Sequence, residues 1–251
     1  MNALLRAKEV TKTYEKAQRP SLNKISFCVT DGEFIGIMGA SGSGKTTLLN
    51  VLSTIDTPTS GEIWINDINL KQLDNASAAD FRKDHLGFIF QEYFLLDSLT
   101  IRENISVPLT LQKLPPKKIE TMVQNLAKRF DISSQLDKYP SELSGGQRQR
   151  ASAARAIVKQ PSILFADEPT GALDSSSATE LLHALQEANQ ELHTTILMVT
   201  HDAYAASFAG RILIFKDGNI IREIFRNNAS RRDFYESIAA EVAKLDTERQ
   251  V

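Results

Sequence analysis

The chain has one cysteine, Cys28, among 251 residues. A single thiol excludes an intrachain disulfide and any cysteine-based zinc cluster, and it accords with a reducing compartment. Long uncharged runs are also missing. No stretch approaches the ~18 to 20 apolar residues that span a bilayer, so the chain is expected not to cross a membrane by itself. The first residues, MNALLRAKEVTKTY, break their apolar positions with Arg6, Lys8 and Glu9 and lack the apolar centre of a signal peptide. Neither sign of charge dominates: Lys and Arg total 29 and Asp and Glu 31, a formal net charge of −2. That balance argues against a protein held to nucleic acid or anionic lipid by bulk charge. Gly (12) and Pro (8) are too few for a fibrous or disordered chain. With 42% hydrophobic and 24% charged residues, the sequence can fill a globular core. At this length an α/β fold often stays undivided.

No repeat or low-complexity tract interrupts the chain. The first third reads as strands. Ile25, Phe27 and Val29 alternate with Ser26 and Thr30, the Asp31-Gly32 turn leads into the apolar run Phe34 to Met38, and Glu62 to Ile65 and Leu86 to Phe90 follow. Thr46 to Leu52 reads as a helix after a glycine-rich loop. Thr100 and Glu103 have capping-box spacing. Beyond Pro115-Pro116, Ile119, Met122, Val123, Leu126, Ala127 and Phe130 recur at helical steps. Ser98 to Lys138 is thus mostly helical, either a subdomain of its own or a helical layer of the same core. From Ile163 strands and helices alternate, which predicts a parallel sheet with helices on its faces. Asp217-Gly218 marks a hairpin, and the tail from Ser230 reads as a helix carrying Phe234, Ile238, Val242 and Leu245.

The strongest chemical signal is Gly39-Ala40-Ser41-Gly42-Ser43-Gly44-Lys45-Thr46, between an apolar strand and a helix. Glycines let the backbone wrap phosphates with N–H groups, and the helix presents its positive end. Lys45 is placed to reach the β- and γ-phosphates of a nucleotide, and the Thr46 hydroxyl to bind Mg²⁺. A second piece is the apolar strand Ile163 to Ala166, ending in Asp167 and Glu168. Carboxylates at the carboxyl end of a parallel strand stand where ligands bind such sheets. Asp167 fits a metal role through water, because Mg²⁺ dehydrates reluctantly. Glu168 fits a general base that polarises attacking water. Ser144 and Gln147 have capping-box spacing, so Ser144 starts a helix whose bare amino end suits an anion or is an ordinary cap. Gln91 and His201 each follow a strand, where a polar side chain reaches metal, water or γ-phosphate or serves structure alone.

Together these residues resemble the nucleotide-binding subunit of the ATP-binding cassette (ABC) transporters, over roughly Leu5 to Glu223. The phosphate loop, Gln91, the signature Leu143 to Gln147, the acidic strand to Glu168, the segment Gly171-Ala172-Leu173-Asp174 and His201 appear in the family's order. The resemblance implies an α/β fold: a P-loop NTPase core with a mostly parallel sheet, an N-terminal antiparallel β part and a helical signature subdomain. It implies one ATPase domain over 1–225, the helical subdomain at about 98–158 inserted in it, and a helical tail over 226–251. It implies that ATP and Mg²⁺ are bound, that Glu168, His201 and Gln91 act in hydrolysis, and that Thr46, Gln91 and Asp167 hold the metal. Nucleotide contacts are implied for Tyr14, which matches the aromatic that stacks on adenine, for Gly39 to Thr46, for Thr47, for Ser144, Gly145, Gly146 and Gln147, and for Asp174. In the family the signature binds the γ-phosphate of ATP held by the other subunit.

Three stretches, Met38 to Asp56, Phe81 to Leu96 and Phe165 to Ser175, look like the subgroup serving lipoprotein release, macrolide export and cell-division-type permeases. Within it, Gly39-Ala40-Ser41, Arg82 to Gly87 and Met198 to Asp202 are most similar to the ATPases of bacitracin- and lantibiotic-resistance (Bce-type) transporters. The implied partners are a second copy, with ATP between the two, and a separately encoded membrane permease, with no nucleic acid. The implied place is the cytoplasmic face of the membrane. An alternative is a regulatory module that uses ATP-driven closure to signal to a cell-wall or division partner without moving cargo.

Overall fold

The computed structural model describes residues 3–15 and 17–247, with side chains up to Lys244. It opens with β1 (Ala3–Lys12) and β2 (Leu22–Thr30), paired antiparallel. Periodicity does not predict β1, because the pairing shifts between Ala7 and Val10 and Glu9 has a φ of +49°. A bulge of this kind breaks the alternation that marks a strand. In β2, Ile25, Phe27 and Val29 point into the core, as the sequence predicts, and Leu22 joins them. Next come β3 (Phe34–Met38) and α1 (Lys45–Leu52), then β4 (Ser60–Ile65) and the two-residue β5 (Ile68–Asn69). β4 begins at Ser60, two residues before the Glu62 at which the sequence starts it. A helix, α2 (Asn75–His85), interrupts the run of strands, and it buries only Phe81. A helix so polar shows no apolar stripe; its sequence mark is Asp74, which accepts the Ser77 N–H at 2.8 Å. β6 (Leu86–Ile89) follows and ends one residue before Phe90.

The middle is helical: α3 (Ile101–Leu111), α4 (Pro116–Arg129) and α5 (Gly145–Ile157). The Thr100–Glu103 capping box is formed. In α4, Val123, Leu126 and Ala127 are buried, with Ile119 and Met122 packed beside them. Their apolar side chains run unbroken into the cluster under the main sheet. Then β7 (Ile163–Asp167), α6 (Ser175–Leu192), β8 (Thr195–Thr200), the single turn α7 (Ala203–Ala206), β9 (Arg211–Lys216), β10 (Asn219–Phe225) and α8 (Arg231–Thr247) complete the chain. Asp217 and Gly218, both at positive φ, turn β9 into β10. Phe234 and Ile238 anchor α8, with Val242 half-buried; the Leu245 side chain lies outside the described residues.

The strands form two sheets, β2-β1-β4-β5, antiparallel, and β10-β9-β3-β8-β7-β6, parallel except at β10. Both faces of the larger sheet are covered, which is why β3 and β8 are buried at every position. Ile35, Ile37, Phe165, Leu197 and Val199 face the smaller sheet and α1. Leu164, Ala166, Ile196 and Met198 face the helices. Parallel strands bring the carboxyl ends of β3, β6, β7 and β8 to one edge, and Gly39, Gln91, Glu168 and His201 all lie just beyond those ends. Among the described residues no helix is long and apolar enough to cross a membrane.

Candidate functional site

The loop from Gly39 to Gly44 is wedged into place by backbone. A Cβ on Gly39 would stand 2.3 Å from the Phe215 carbonyl oxygen, and one on Gly44 equally close to that of Ser21. Gly44 also has a φ of +106°, which side chains resist. No side chain caps α1, so its first N–H groups are left for an anion. Lys45 is only 7% exposed. Its Nζ donates to the carbonyls of Gly39 at 2.8 Å and Ala40 at 2.9 Å, holding the loop curled around itself. Burial lowers the Lys45 pKa, while the nearby carboxylates of Glu168 and Asp167 oppose that shift.

Beside the loop opens a cleft of about 670 Å³. Ala40, Ser41, Gly42, Gly44, Lys45, Thr46 and Thr47 form one wall; Gln91, Glu168 and His201 face them from the other strand ends. Gln91 lies against Gly171, where a Cβ would come 3.2 Å from its amide carbon. Glu168 turns off the end of β7 with a φ of +47°, held by its N–H donating to Val199 at 2.9 Å. Its carboxylate oxygens are both 2.9 Å from His201 Nδ1. Asp167 is pushed above the usual carboxylate range, first by burial and then by Glu168, against a hydrogen bond from Thr46 and the charge of Lys45. Its Oδ1 is buried with no hydrogen-bond partner, as is Ser43 Oγ.

Tyr14, Ser144 to Gln147 and Asp174 do not line this cleft. Ser144 accepts the Gln147 N–H at 3.3 Å, and Gln147 Oε1 accepts the Ser144 N–H at 3.0 Å, so the predicted box starts α5. Gly146 packs on α6, where a Cβ would meet Ser177 Oγ at 2.5 Å. Asp174 caps α6, accepting from the N–H groups of Ser176 and Ser177 and from Ser177 Oγ. Tyr14 is 43% exposed, its hydroxyl donating to Asp56 at 3.0 Å and Lys12 Nζ 4.9 Å from its ring centre.

Two residues join the site without a motif to announce them. Ser21 lines the cleft although it only precedes β2. Gln149, fully buried, donates to the Phe90 carbonyl at 3.0 Å and the Pro169 carbonyl at 2.7 Å. It ties α5 to the chain beside Gln91 and to the turn after Glu168. A polar residue on the alanine-rich face of α5 is the signal that could have found it.

The model of the family described as ABC transporter matches residues 22–171. The chain belongs to the ABC transporter family. It is 50% identical over 238 residues to the bacitracin export ATP-binding protein BceA of Halalkalibacterium halodurans, covering 94% of each chain. It is 47% identical over 239 residues to the ABC transporter ATP-binding protein YxdL of Bacillus subtilis, covering 95% of this chain and 93% of the relative. Among solved structures, an ATP-binding cassette of Methanocaldococcus jannaschii, a post-hydrolysis dimer bound to ADP and Pi, superposes with a TM-score of 0.81. It is 36% identical and covers 88% of this chain and 98% of its own. The chemistry of this ABC ATPase is the hydrolysis of ATP.

The residues present suit a divalent ion. Among the described residues no cluster of three His, Cys, Asp or Glu side chains forms an all-protein metal cage. An unpartnered carboxylate oxygen on Asp167 beside a threonine hydroxyl is instead the donor set expected where substrate phosphates supply the remaining ligands.

Proposed function

We propose that this ABC ATPase drives an exporter that confers resistance to cell-wall-targeting antimicrobial peptides such as bacitracin or lantibiotics. The observation that carries the reading is its 50% identity, nearly end to end, to a protein named for bacitracin export. The regulatory alternative is not favoured, because the relative that matches nearly end to end is named for export. Cargo passes the membrane through a separately encoded permease, a reading supported by relatives that this chain covers to 94% and 93% of their length and that are named as ATP-binding proteins. The ATPase then works as a peripheral subunit on the cytoplasmic face.

At the site, Lys45 and the loop N–H groups hold the triphosphate, and Thr46, Gln91 and Asp167 would hold Mg²⁺, whose charge would offset that of the phosphates. Glu168 takes the proton of the attacking water, and His201 and Gln91 position water and γ-phosphate. Tyr14 stacks on adenine. Two copies close head to tail, with Ser144 to Gln147 and Asp174 of each completing the other's cleft. The location of these residues away from their own cleft, and the dimeric relative, support that arrangement.

Co-expression with a permease partner, in a sensitive bacterium, tests the proposal. Raised inhibitory concentrations of bacitracin or a lantibiotic, lost in Glu168→Gln, are expected. Unchanged sensitivity across a peptide panel, with ATP turnover intact, would refute it.

A further inference from the structure

The C-terminal helix reaches the segment that carries His201. Phe234 and Ile238 seat α8 in the core, and Glu241 pairs with Arg222 of β10 at 2.5 Å. At its amino end Arg231 covers two rings, its guanidinium carbon 5.0 Å from the Tyr204 centroid and 4.4 Å from that of Phe208. Those rings meet edge to face at 5.6 Å. Tyr204 Oη is 3.1 Å from Thr179 Oγ1 of α6, and Thr179 donates to the Ser175 carbonyl at 2.8 Å, one residue from Asp174. The Tyr204 N–H donates to Asp202 at 2.8 Å, and the Asp202 N–H to Thr200 Oγ1 at 3.0 Å. His201 sits inside that pair of bonds.

His201 needs such support. Its side chain is 69% exposed, and among the described residues its hydrogen-bond partner is Glu168 alone. The helix after it, α7, has four residues, too few to hold a conformation without tertiary contacts. We propose that Tyr204 and Arg231 are positioning residues for hydrolysis: their contact fixes α7, and through Asp202 the direction in which His201 faces Glu168. The inference rests on the role given to His201 above. A cation over two aromatic faces suits the task, because the attraction depends on the charge and is lost in an apolar replacement.

The test uses the full chain. Arg231→Met keeps the stem and removes the cation; Arg231→Lys keeps a cation. Single-turnover hydrolysis, ATP affinity by calorimetry and melting temperature are measured for each, alone and with His201→Ala. Arg231→Met is expected to slow hydrolysis about three- to tenfold, the size of one such contact expressed as a rate, with affinity unchanged. Lysine should restore most of the loss. In the His201→Ala background Arg231→Met should cost nothing further, because the two act through one group. If His201→Ala is slow and Arg231→Met is either fully active or equally costly in both backgrounds, the clamp is wrong and the role of His201 stands. If His201→Ala turns over normally, the role of His201 is wrong and the clamp falls with it. Should Arg231→Met fail to fold, Tyr204→Phe removes only the hydroxyl, which bonds Thr179 and Arg231. It should slow hydrolysis about twofold or more in the wild-type background and not in His201→Ala; equal rates in the former would overturn the clamp.

Discussion

Glu168 and His201 meet as neighbours although 33 positions separate them, Nδ1 lying 2.9 Å from each carboxylate oxygen. The contact exists because β7 and β8 run side by side, Asp167 in register with Val199. An ionised carboxylate only accepts, so the bond requires the proton on Nδ1. The proposed base and the proposed γ-phosphate ligand therefore restrain one another.

Glu168→Gln keeps an acceptor for His201 and removes the charge. Hydrolysis should fall by about 10²- to 10⁴-fold, the usual worth of a general base. ATP affinity should hold or rise. The variant should then accumulate with ATP as a dimer, while the wild-type chain without nucleotide stays largely monomeric. Single-turnover kinetics and sedimentation check both halves; near-normal turnover would mean that the base lies elsewhere, and Asp174 or Gln91 would be tested next.

Lys45→Ala should lose nucleotide binding. Its ammonium supplies the full charge that loop N–H groups lack, and removing such a partner costs about 2 to 5 kcal/mol, some 30-fold or more in affinity. The curl of the loop should also loosen, since Gly39 and Ala40 lose their shared donor. Calorimetric titration with Mg·ATP reads the first effect and proteolysis within the loop the second.

Tyr93, Phe94 and Leu95, just after Gln91, are the candidates to meet the permease. Tyr93 and Phe94 both have positive φ, and α5 clamps their carbonyls: Ser152 Oγ donates to Tyr93 at 2.8 Å, and Arg155 donates to Tyr93 at 2.9 Å and to Phe94 at 2.5 Å. Phe94 is 58% exposed, so it is not core, and Tyr93 stacks under Arg148 at 5.0 Å. Replacing both with Ala should weaken permease binding more than it slows basal hydrolysis. Co-purification yield against ATPase rate measures the difference, and a joint collapse of fold and hydrolysis would assign them to structure.

Lys159 should make stability depend on alkaline pH. Burial lowers its pKa to about 8, while its ammonium donates to the carbonyls of Arg82, at 2.9 Å, and Lys83 at the end of α2. The folded chain thus gives up this proton before the unfolded chain does. Its contribution to stability should rise with pH from about 8 toward the ordinary lysine value and be absent below that window. After solvent screening the gain is on the order of 1 kcal/mol. Urea unfolding from pH 7 to 10 should show it in the wild type and not in Lys159→Met.

The sequence by itself determined what is local. A strand, a glycine loop and a helix are contiguous, so residues 39–47 declare their geometry and chemistry through backbone freedom and helix-end donors alone. The Thr100 and Ser144 caps are equally short-range, and each is formed as its spacing predicts. The alternation of β2 and the helical steps of α4 show which face is buried, because burial follows the period of the element. Where local order is disturbed, as by the bulge in β1 or the polar surface of α2, the same reasoning stops.

Tertiary structure decided everything that depends on which strands are neighbours. Nothing near His201 in the sequence says that it will face Glu168, nor that Ser21 will close the cleft or Gln149 reach Phe90 and Pro169. Nothing in the tail marks Arg231 as the residue that lands on Tyr204. These contacts follow from the order β10-β9-β3-β8-β7-β6. That order is chosen by burying both faces of the sheet at once, a property of the whole chain and not of any one segment.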